Sequence, residues 1–328
     1  MAVIKAKAIR IHEVGGPEVM QWVDVEVPDP GPNEVRVQHH AVGLNYIDVY
    51  FRTGLYPQPL PGQLGMEAAG VIESVGSDVK NFKAGDRVAY AGRPPGAYSQ
   101  YRVMLPDTLV KLPDAISFET GAAMMLQGLT SHYLLHDSYK VKAGDTVLFH
   151  AAAGGVGLIA CQWLKALGAT IIGTVGSKEK AELAKAHGCD HVILYREEDF
   201  VKRVREITNG AGVPVVYDSI GKDTFFQSLD CLSPRGTMVT YGNASGPAPL
   251  LDVGLLAGKG SLRLTRPTLM TYSHNRSLLE PMAADLFNMV ISGKVKIEIN
   301  QRYPLERVAD AHRDLEARKT TGSTILLP

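Results

Sequence analysis

The chain has 328 residues, room for two domains at ~150 residues each, with 45% hydrophobic and 21% charged residues, a composition that buries a core and excludes large-scale disorder. Thirty-four Lys and Arg balance thirty-four Asp and Glu, so the basic excess of a nucleic-acid-coating protein is missing. No stretch approaches the ~18 uninterrupted apolar residues of a membrane span.

Residues 1–14 alternate apolar and charged side chains, without the apolar block of a signal peptide. Cys161, Cys189 and Cys231 are odd in number and far apart, with no CxxC pair. They read as reduced, buried thiols of a cytoplasmic protein, and offer neither a disulfide framework nor a Cys-based zinc site. Residues 1 to 125 read as β-rich. Glu34–Gln38 alternates polar and apolar residues after a Pro- and Gly-rich turn at Pro28–Pro32, and further strands are expected at Ala68–Val75, Arg87–Ala89 and Tyr98–Val103. A closed or strongly curved barrel is expected for this region.

From residue 126 the character changes. An apolar run, Asp145–Ala153, leads directly into Gly154-Gly-Val-Gly157. Val156, Ile159, Ala160, Trp163, Leu164 and Leu167 then repeat with helical spacing, Gly168 closes the helix, and Thr170–Thr174 is the next strand. This is a βαβ unit. Helices at Glu179–His187, Phe200–Thr208 and Thr224–Leu232 alternate with strands at His191–Leu194, Val213–Tyr217 and Thr237–Tyr241, and Ser261–Thr265 adds a sixth strand. The expectation is an α/β chain with a doubly wound parallel sheet over 126–268, inserted into a catalytic domain of 1–125 and 269–328. The catalytic part ends in helices near Glu280–Ile291 and Leu305–Arg318 and a strand, Ser323–Leu327, that pairs back onto the first region.

A GxGxxG spacing alone is weak; here Ala152, Gly154 and Gly157 hold its positions between a strand and a helix. Gly154 lets the backbone approach a pyrophosphate, Gly157 lets the helix pack on the strand, and the helix N-terminus favours the anion. The alternative is a tight βα turn with no ligand. An NAD site places an acid at the end of the second strand to bind the ribose 2′-hydroxyl. Thr174-Val-Gly-Ser-Lys178 has none. Ser177 and Lys178 suit a 2′-phosphate, so NADPH is preferred; against this, Lys178 is also readable as a solvated helix-start lysine.

Ala151-Ala-Ala-Gly-Gly-Val-Gly157 resembles the cofactor turn of the quinone oxidoreductase branch of the medium-chain dehydrogenases/reductases. So do Gly16-Pro-Glu-Val19, Val42-Gly-Leu-Asn-Tyr-Ile-Asp48 with Arg52-Thr-Gly-Leu-Tyr56, Gly65–Val71, Gly85-Asp-Arg-Val88, Val216-Tyr-Asp-Ser219, Arg266-Pro267 and Gly322-Ser323. The similarity spans the chain and is close to bacterial NADPH:quinone reductases, themselves similar to zeta-crystallin. It implies a GroES-like catalytic domain, a Rossmann domain, a cleft between them, a small quinone as substrate, and a homodimer. It also implies that Ala153, Gly155, Val156, Gly176, Tyr195, Asn243 and Arg318 join Gly154, Gly157, Ser177 and Lys178 around NADPH. Tyr195 would stack by the adenosine and Arg318 would near the phosphate.

Zinc-dependent relatives use Cys where this chain has Asn45 and His where it has Met66, and Ala89–Tyr101 contains no Cys for a structural zinc lobe. An amide and a thioether are poor zinc ligands, so no metal and no alcohol oxidation are expected. Glu67 is left as a buried hydrogen-bonding carboxylate. A quinone needs mainly positioning, exclusion of water and donors to a developing oxyanion. By resemblance, Asn45, Tyr50 and Tyr56 supply donors, and Thr130, in Gln127-Gly-Leu-Thr130, sits by the nicotinamide; singly, each Tyr is as readable as a packing residue. Two alternatives stay open: an enone or 2-alkenal reductase using the same NADPH site, and a non-enzymatic crystallin-like or RNA-binding role.

Overall fold

The computed structural model describes residues 3–328 and divides them into two compact units. The first comprises the chain up to Leu129 with Tyr272–Ile291 and Ile297–Pro328; the second comprises Thr130–Thr271 with Ser292–Lys296.

In the first unit the chain forms β1 (Ile4–Ile11), β2 (Gln21–Val27), β3 (Val35–Leu44), α1 (Tyr46–Arg52), β4 (Gly62–Gln63), β5 (Glu67–Val75), β6 (Arg87–Ala91), β7 (Tyr101–Met104) and β8 (Leu109–Lys111). Two sheets result: β2-β1-β4, and a larger one in the order β15-β16-β3-β5-β6-β8 with β7 also on β3. The last two are Ile299–Pro304 (β15) and Ser323–Leu327 (β16). As expected, the closing strand returns to the first region, pairing antiparallel with β3 through Thr324 and Leu44.

The expected closed barrel does not form, because the larger sheet has free ends at β15 and β8. Its curvature comes from register shifts in β3 at Arg36/Val37 and His39/Ala41, where a bulge adds local twist. The strand expected from Tyr98 starts only at Tyr101. Tyr98 instead gives its N–H to Leu64 O at 3.0 Å and its carbonyl to Ile9 N at 2.8 Å, so its backbone ties β1 to the β4–β5 turn.

Helix α2 (Phe118–Tyr133) contains the Leu129/Thr130 division between the units. The second unit continues with β9 (Thr146–His150), α3 (Gly155–Ala166), β10 (Thr170–Val175), α4 (Lys178–Ala186), β11 (His191–Leu194), α5 (Phe200–Ile207), β12 (Val213–Asp218), α6 (Phe225–Asp230), β13 (Leu232–Thr240), α7 (Gly254–Gly258) and β14 (Arg263–Thr265). All six strands are parallel, in the order β11-β10-β9-β12-β13-β14. Strand order reverses between β9 and β12, the place where doubly wound sheets bind ligands at the carboxyl ends of their strands.

The local reasons are plain. On α3, Leu158, Ile159, Trp163 and Leu164 are buried, each contributing ~1.5–3 kcal/mol by leaving water. Gly168, at φ +81°, ends that helix in the left-handed conformation that a C′ glycine adopts without strain. Asp199 starts α5 by accepting from Val201 N at 2.9 Å. Helix α8 (Leu269–Tyr272) contains the Thr271/Tyr272 division, and α9 (Arg276–Ile291) and α10 (Val308–Glu316) belong to the first unit.

Candidate active site

The glycine turn follows β9. Ala151 sits at φ +55°, a left-handed conformation costly for a residue with a Cβ. It is held there by Gly154 N to Ala151 O at 2.9 Å and, beside it, Ala152 N to Thr174 O at 3.1 Å. Gly154 is the N-cap of α3, and the first helical bond runs from Leu158 N to Gly154 O at 2.9 Å. The amides of Gly155, Val156 and Gly157 therefore stand ahead of the ladder, as the first N–H groups of a helix do. A Cβ on Gly157 would collide with the carbonyls of Ala151 and Ala152. Ala153 is buried beneath the turn. This cradle fits a pyrophosphate: bare backbone, open amides and the positive helix end together.

At the end of β10, Ser177 caps α4, its Oγ accepting from Lys180 N at 3.3 Å. Lys178 opens that helix, exposed. Glu179 follows, and the Ser177 hydroxyl holds its carboxyl below the usual range. That acid lies one residue past the acid-free stretch noted in the sequence, and it competes for the Ser177 hydroxyl. Tyr195 covers the turn: a Cβ on Gly176 would lie 2.9 Å from its Oη. Gly176, Ser177, Lys178 and Tyr195 are thus brought together. Asn243 lies after β13, where its Nδ2 donates to Gly242 O at 2.9 Å and its Oδ1 accepts from Arg266 at 3.2 Å. Arg318 belongs to the first unit, in a left-handed conformation (φ +59°) just past α10, and acts electrostatically on Tyr46.

The second group of candidate residues stands at the head of α1. Asn45 is its N-cap residue. Its Nδ2 donates to Glu67 Oε2 at 2.7 Å and its Oδ1 accepts from Gln127 Nε2 at 3.2 Å, so the amide is engaged on both sides. Among the described residues, one Nδ2 hydrogen has no partner. Tyr50 is buried and Tyr56 half-buried, with ring centroids 5.2 Å apart and Tyr56 N bonded to Tyr50 O at 3.0 Å. Asn45, Tyr50 and Tyr56 thus come from one helix and the turn after it. Thr130 is buried in α2, on the second unit's side of the division.

Several polar residues in the site escaped the sequence reading. Asp48 is fully buried, and its Oδ2 accepts from Asn45 N and Tyr98 Oη, each at 2.9 Å. Burial pushes its carboxyl up to about 7. Tyr98 Oη is 3.0 Å from His312 Nε2, and His312 Nδ1 is 2.9 Å from Arg52. A guanidinium only donates, so Nδ1 accepts, Nε2 carries the proton, and the Tyr98 hydroxyl turns to Asp48. Arg52 in turn pairs both oxygens of Glu316, at 2.9 and 2.8 Å. Glu67, by contrast, is the buried hydrogen-bonding carboxylate the sequence led us to expect, fully buried, and burial pushes it up to about 8. In the second unit His150, just before the glycine turn, lies between Thr174 Oγ1 at 2.8 Å and Ser228 Oγ at 3.0 Å, and burial lowers its pKa.

The donor set does not suit zinc. Asn45 presents an amide already hydrogen-bonded to Glu67, and the fully buried Met66 offers a thioether.

The comparisons with known proteins agree in direction. Family models match the alcohol dehydrogenase GroES-like domain over residues 31–114 and the zinc-binding dehydrogenase domain over residues 155–283. A quinone oxidoreductase of Pseudomonas aeruginosa is 55% identical, over 98% of this chain and 100% of its own. The crystal structure of Escherichia coli quinone oxidoreductase complexed with NADPH superposes with a TM-score of 0.97 at 51% identity, covering 98% of this chain and 100% of that one. A 2-haloacrylate reductase of a Burkholderia species is 47% identical over 97% of this chain and 98% of its own. The zinc-binding description belongs to the model matched over residues 155–283, whereas Asn45 and Met66 lie in the stretch matched by the GroES-like model. This chain belongs to the quinone oxidoreductases, a zinc-independent branch of the medium-chain dehydrogenase/reductase superfamily.

Proposed function

We propose that this chain reduces small quinones with NADPH. The observation that carries the reading is its full-length likeness, at 51% identity, to a quinone oxidoreductase solved with NADPH. The amides of Gly155, Val156 and Gly157 hold the pyrophosphate beside Ala153 and Gly154. Lys178 pairs with the 2′-phosphate, Tyr195 lies over Gly176 beside the adenosine, and Asn243 and Arg318 complete the assignment. Bound there, NADPH supplies hydride to the acceptor. The free N–H of Asn45 and the hydroxyls of Tyr50 and Tyr56 bond the acceptor oxygen as negative charge develops on it, with Thr130 as a further orienting group. No acid or base is required to start the reaction, because the charge on a reduced quinone is delocalised.

The 2-haloacrylate reductase at 47% identity supports a second reading, hydride delivery to an activated alkene. Steady-state oxidation of NADPH with 1,4-benzoquinone and with a 2-haloacrylate or enone separates the two. The quinone reading expects the larger kcat/KM on benzoquinone; turnover of the alkene alone would replace it.

We further assign a homodimer. Strand β14 is a sheet edge with Leu264 exposed, and Leu250 and Val253 stand exposed in the segment before it. An apolar sheet edge favours pairing with a second copy. Light scattering should give twice the chain's mass, falling toward the monomer in Leu264→Lys; a wild-type monomer would refute the assignment. The three free, buried thiols suit a reducing compartment, and we place the protein in the cytoplasm. No helix of the described residues is long and apolar enough to cross a membrane.

A further inference from the structure

Asn45 is the residue on which the substrate contact turns, and its amide is held by a chain of single-polarity bonds. Ser323 Oγ, with one hydrogen to donate, lies 2.7 Å from Gln127 Oε1 and 3.0 Å from the Ala123 carbonyl, the shorter contact being to Gln127. Gln127 Nε2 donates to Asn45 Oδ1 at 3.2 Å, and Asn45 Nδ2 donates to Glu67 Oε2 at 2.7 Å. Glu67 Oε1 accepts from the backbone N–H of Leu126 at 2.8 Å.

The polarity cannot be reversed cheaply. While Glu67 is ionised, turning the Asn45 amide over would set its oxygen against a carboxylate oxygen and its NH2 against the Gln127 NH2. Two bonds would be lost and two like-polarity contacts made. All four side chains are buried, so water cannot repair the chain. Asn45 itself is buried, with 5% of its surface exposed. Glu67 thus decides which edge of the Asn45 amide is committed and which N–H is left over.

We propose that Glu67 and Gln127 are positioning residues for the reduction, locking the Asn45 amide so that its one uncommitted N–H faces the substrate oxygen. The proposal rests on the reading of Asn45 as a substrate contact. A carboxylate serving packing alone would need partners but would be indifferent to which way Asn45 faces. The test therefore inverts the polarity while restoring the bonds of this relay.

In Glu67→Gln combined with Gln127→Glu, the new glutamine accepts from Leu126 N through its oxygen and donates its NH2 to Asn45 Oδ1. The new glutamate accepts from Ser323 and from Asn45 Nδ2. The chain is complete again, with Asn45 turned over. Three quantities are measured on the full-length protein: kcat with 1,4-benzoquinone, the NADPH dissociation constant by fluorescence titration, and the thermal midpoint. Glu67→Gln alone should lower both the midpoint and kcat. The double variant should recover the midpoint and keep the NADPH dissociation constant, while kcat stays down on the order of tenfold. Wild-type kcat in the double variant would overturn the proposal. Asn45→Ala is the control for the underlying reading: wild-type kcat there would reject the substrate contact itself. Should the double variant fail to fold, Ser323→Ala, which releases Gln127 Oε1 and also removes the contact with the Ala123 carbonyl, decides. The proposal then expects kcat to fall roughly threefold to tenfold, the worth of one hydrogen bond, and unchanged kcat would overturn it.

Discussion

In the proposed reading, Lys178 is the main carrier of the cofactor preference within the turn after β10. Ser177 is occupied as the cap of α4 and by Glu179, so the charge that meets a 2′-phosphate is the exposed ammonium one residue on. A charge-assisted phosphate contact contributes ~1.5–3 kcal/mol, where ~1.4 kcal/mol is tenfold in affinity. Lys178→Ala should weaken NADPH at least about tenfold while leaving NADH nearly unchanged, as read by fluorescence titration of both. Equal losses for the two cofactors would show that Lys178 acts on α4 and not on the phosphate. The proposal of Lys178 could be made from the sequence because its signal is local: a glycine turn, a strand, and a basic residue where an acid would otherwise stand. The partners of Asn45 were not legible. They lie 22, 82 and 196 residues along the relay from Asn45 to Glu67, Asn45 to Gln127, and Gln127 to Ser323, and no periodicity encodes a hydrogen bond across such separations.

At the scale of elements, the apolar repeat from Val156 to Leu167 identified α3, and Gly168 marked its end. Helix α1 left no such signal in its seven residues, because it is held less by an apolar stripe than by polar tethers. Asp48 takes the Asn45 N–H, and Arg52 reaches Gly15 O at 3.1 Å, His312 and Glu316. The Asp48 tether titrates. Burial raises Asp48 from its ordinary value near 4 to about 7, so the fold favours its neutral form. The associated stability is full below the ordinary value and is lost as pH rises through about 7. Asp48→Asn should therefore gain in thermal midpoint, relative to wild type, between pH 5 and pH 8 by scanning fluorimetry. A constant difference across that range would contradict the burial argument. Gly157→Ala is the corresponding test for the glycine turn. Its new methyl meets the Ala151 and Ala152 carbonyls, so α3 must shift, and overpacking of this kind costs ~1–3 kcal/mol. The expected result is a lower midpoint together with weakened NADPH binding; wild-type values of both would show that the turn tolerates a Cβ.

For the whole molecule, alternating strands and helices announced the parallel sheet, and the reversal at β9 and β12 sits where the glycine turn implied it. The first unit was harder to read. β1 and β2 pair over Ile4–Val27 without a clean alternation, and β15 is found only by its partnership with β16. A barrel was expected because short strands and turns look alike in closed and open sheets; the branching at β3, which serves β5, β7 and β16, decides the matter. The proposed function draws on an anion cradle in the second unit and, in the first, on the Asn45 amide with Tyr50 and Tyr56. The most direct test is the kcat/KM for 1,4-benzoquinone with NADPH, measured after exhaustive dialysis against a chelator. The account predicts that quinone-dependent NADPH oxidation is fully retained. Loss of that activity, restored by stoichiometric zinc, would contradict it.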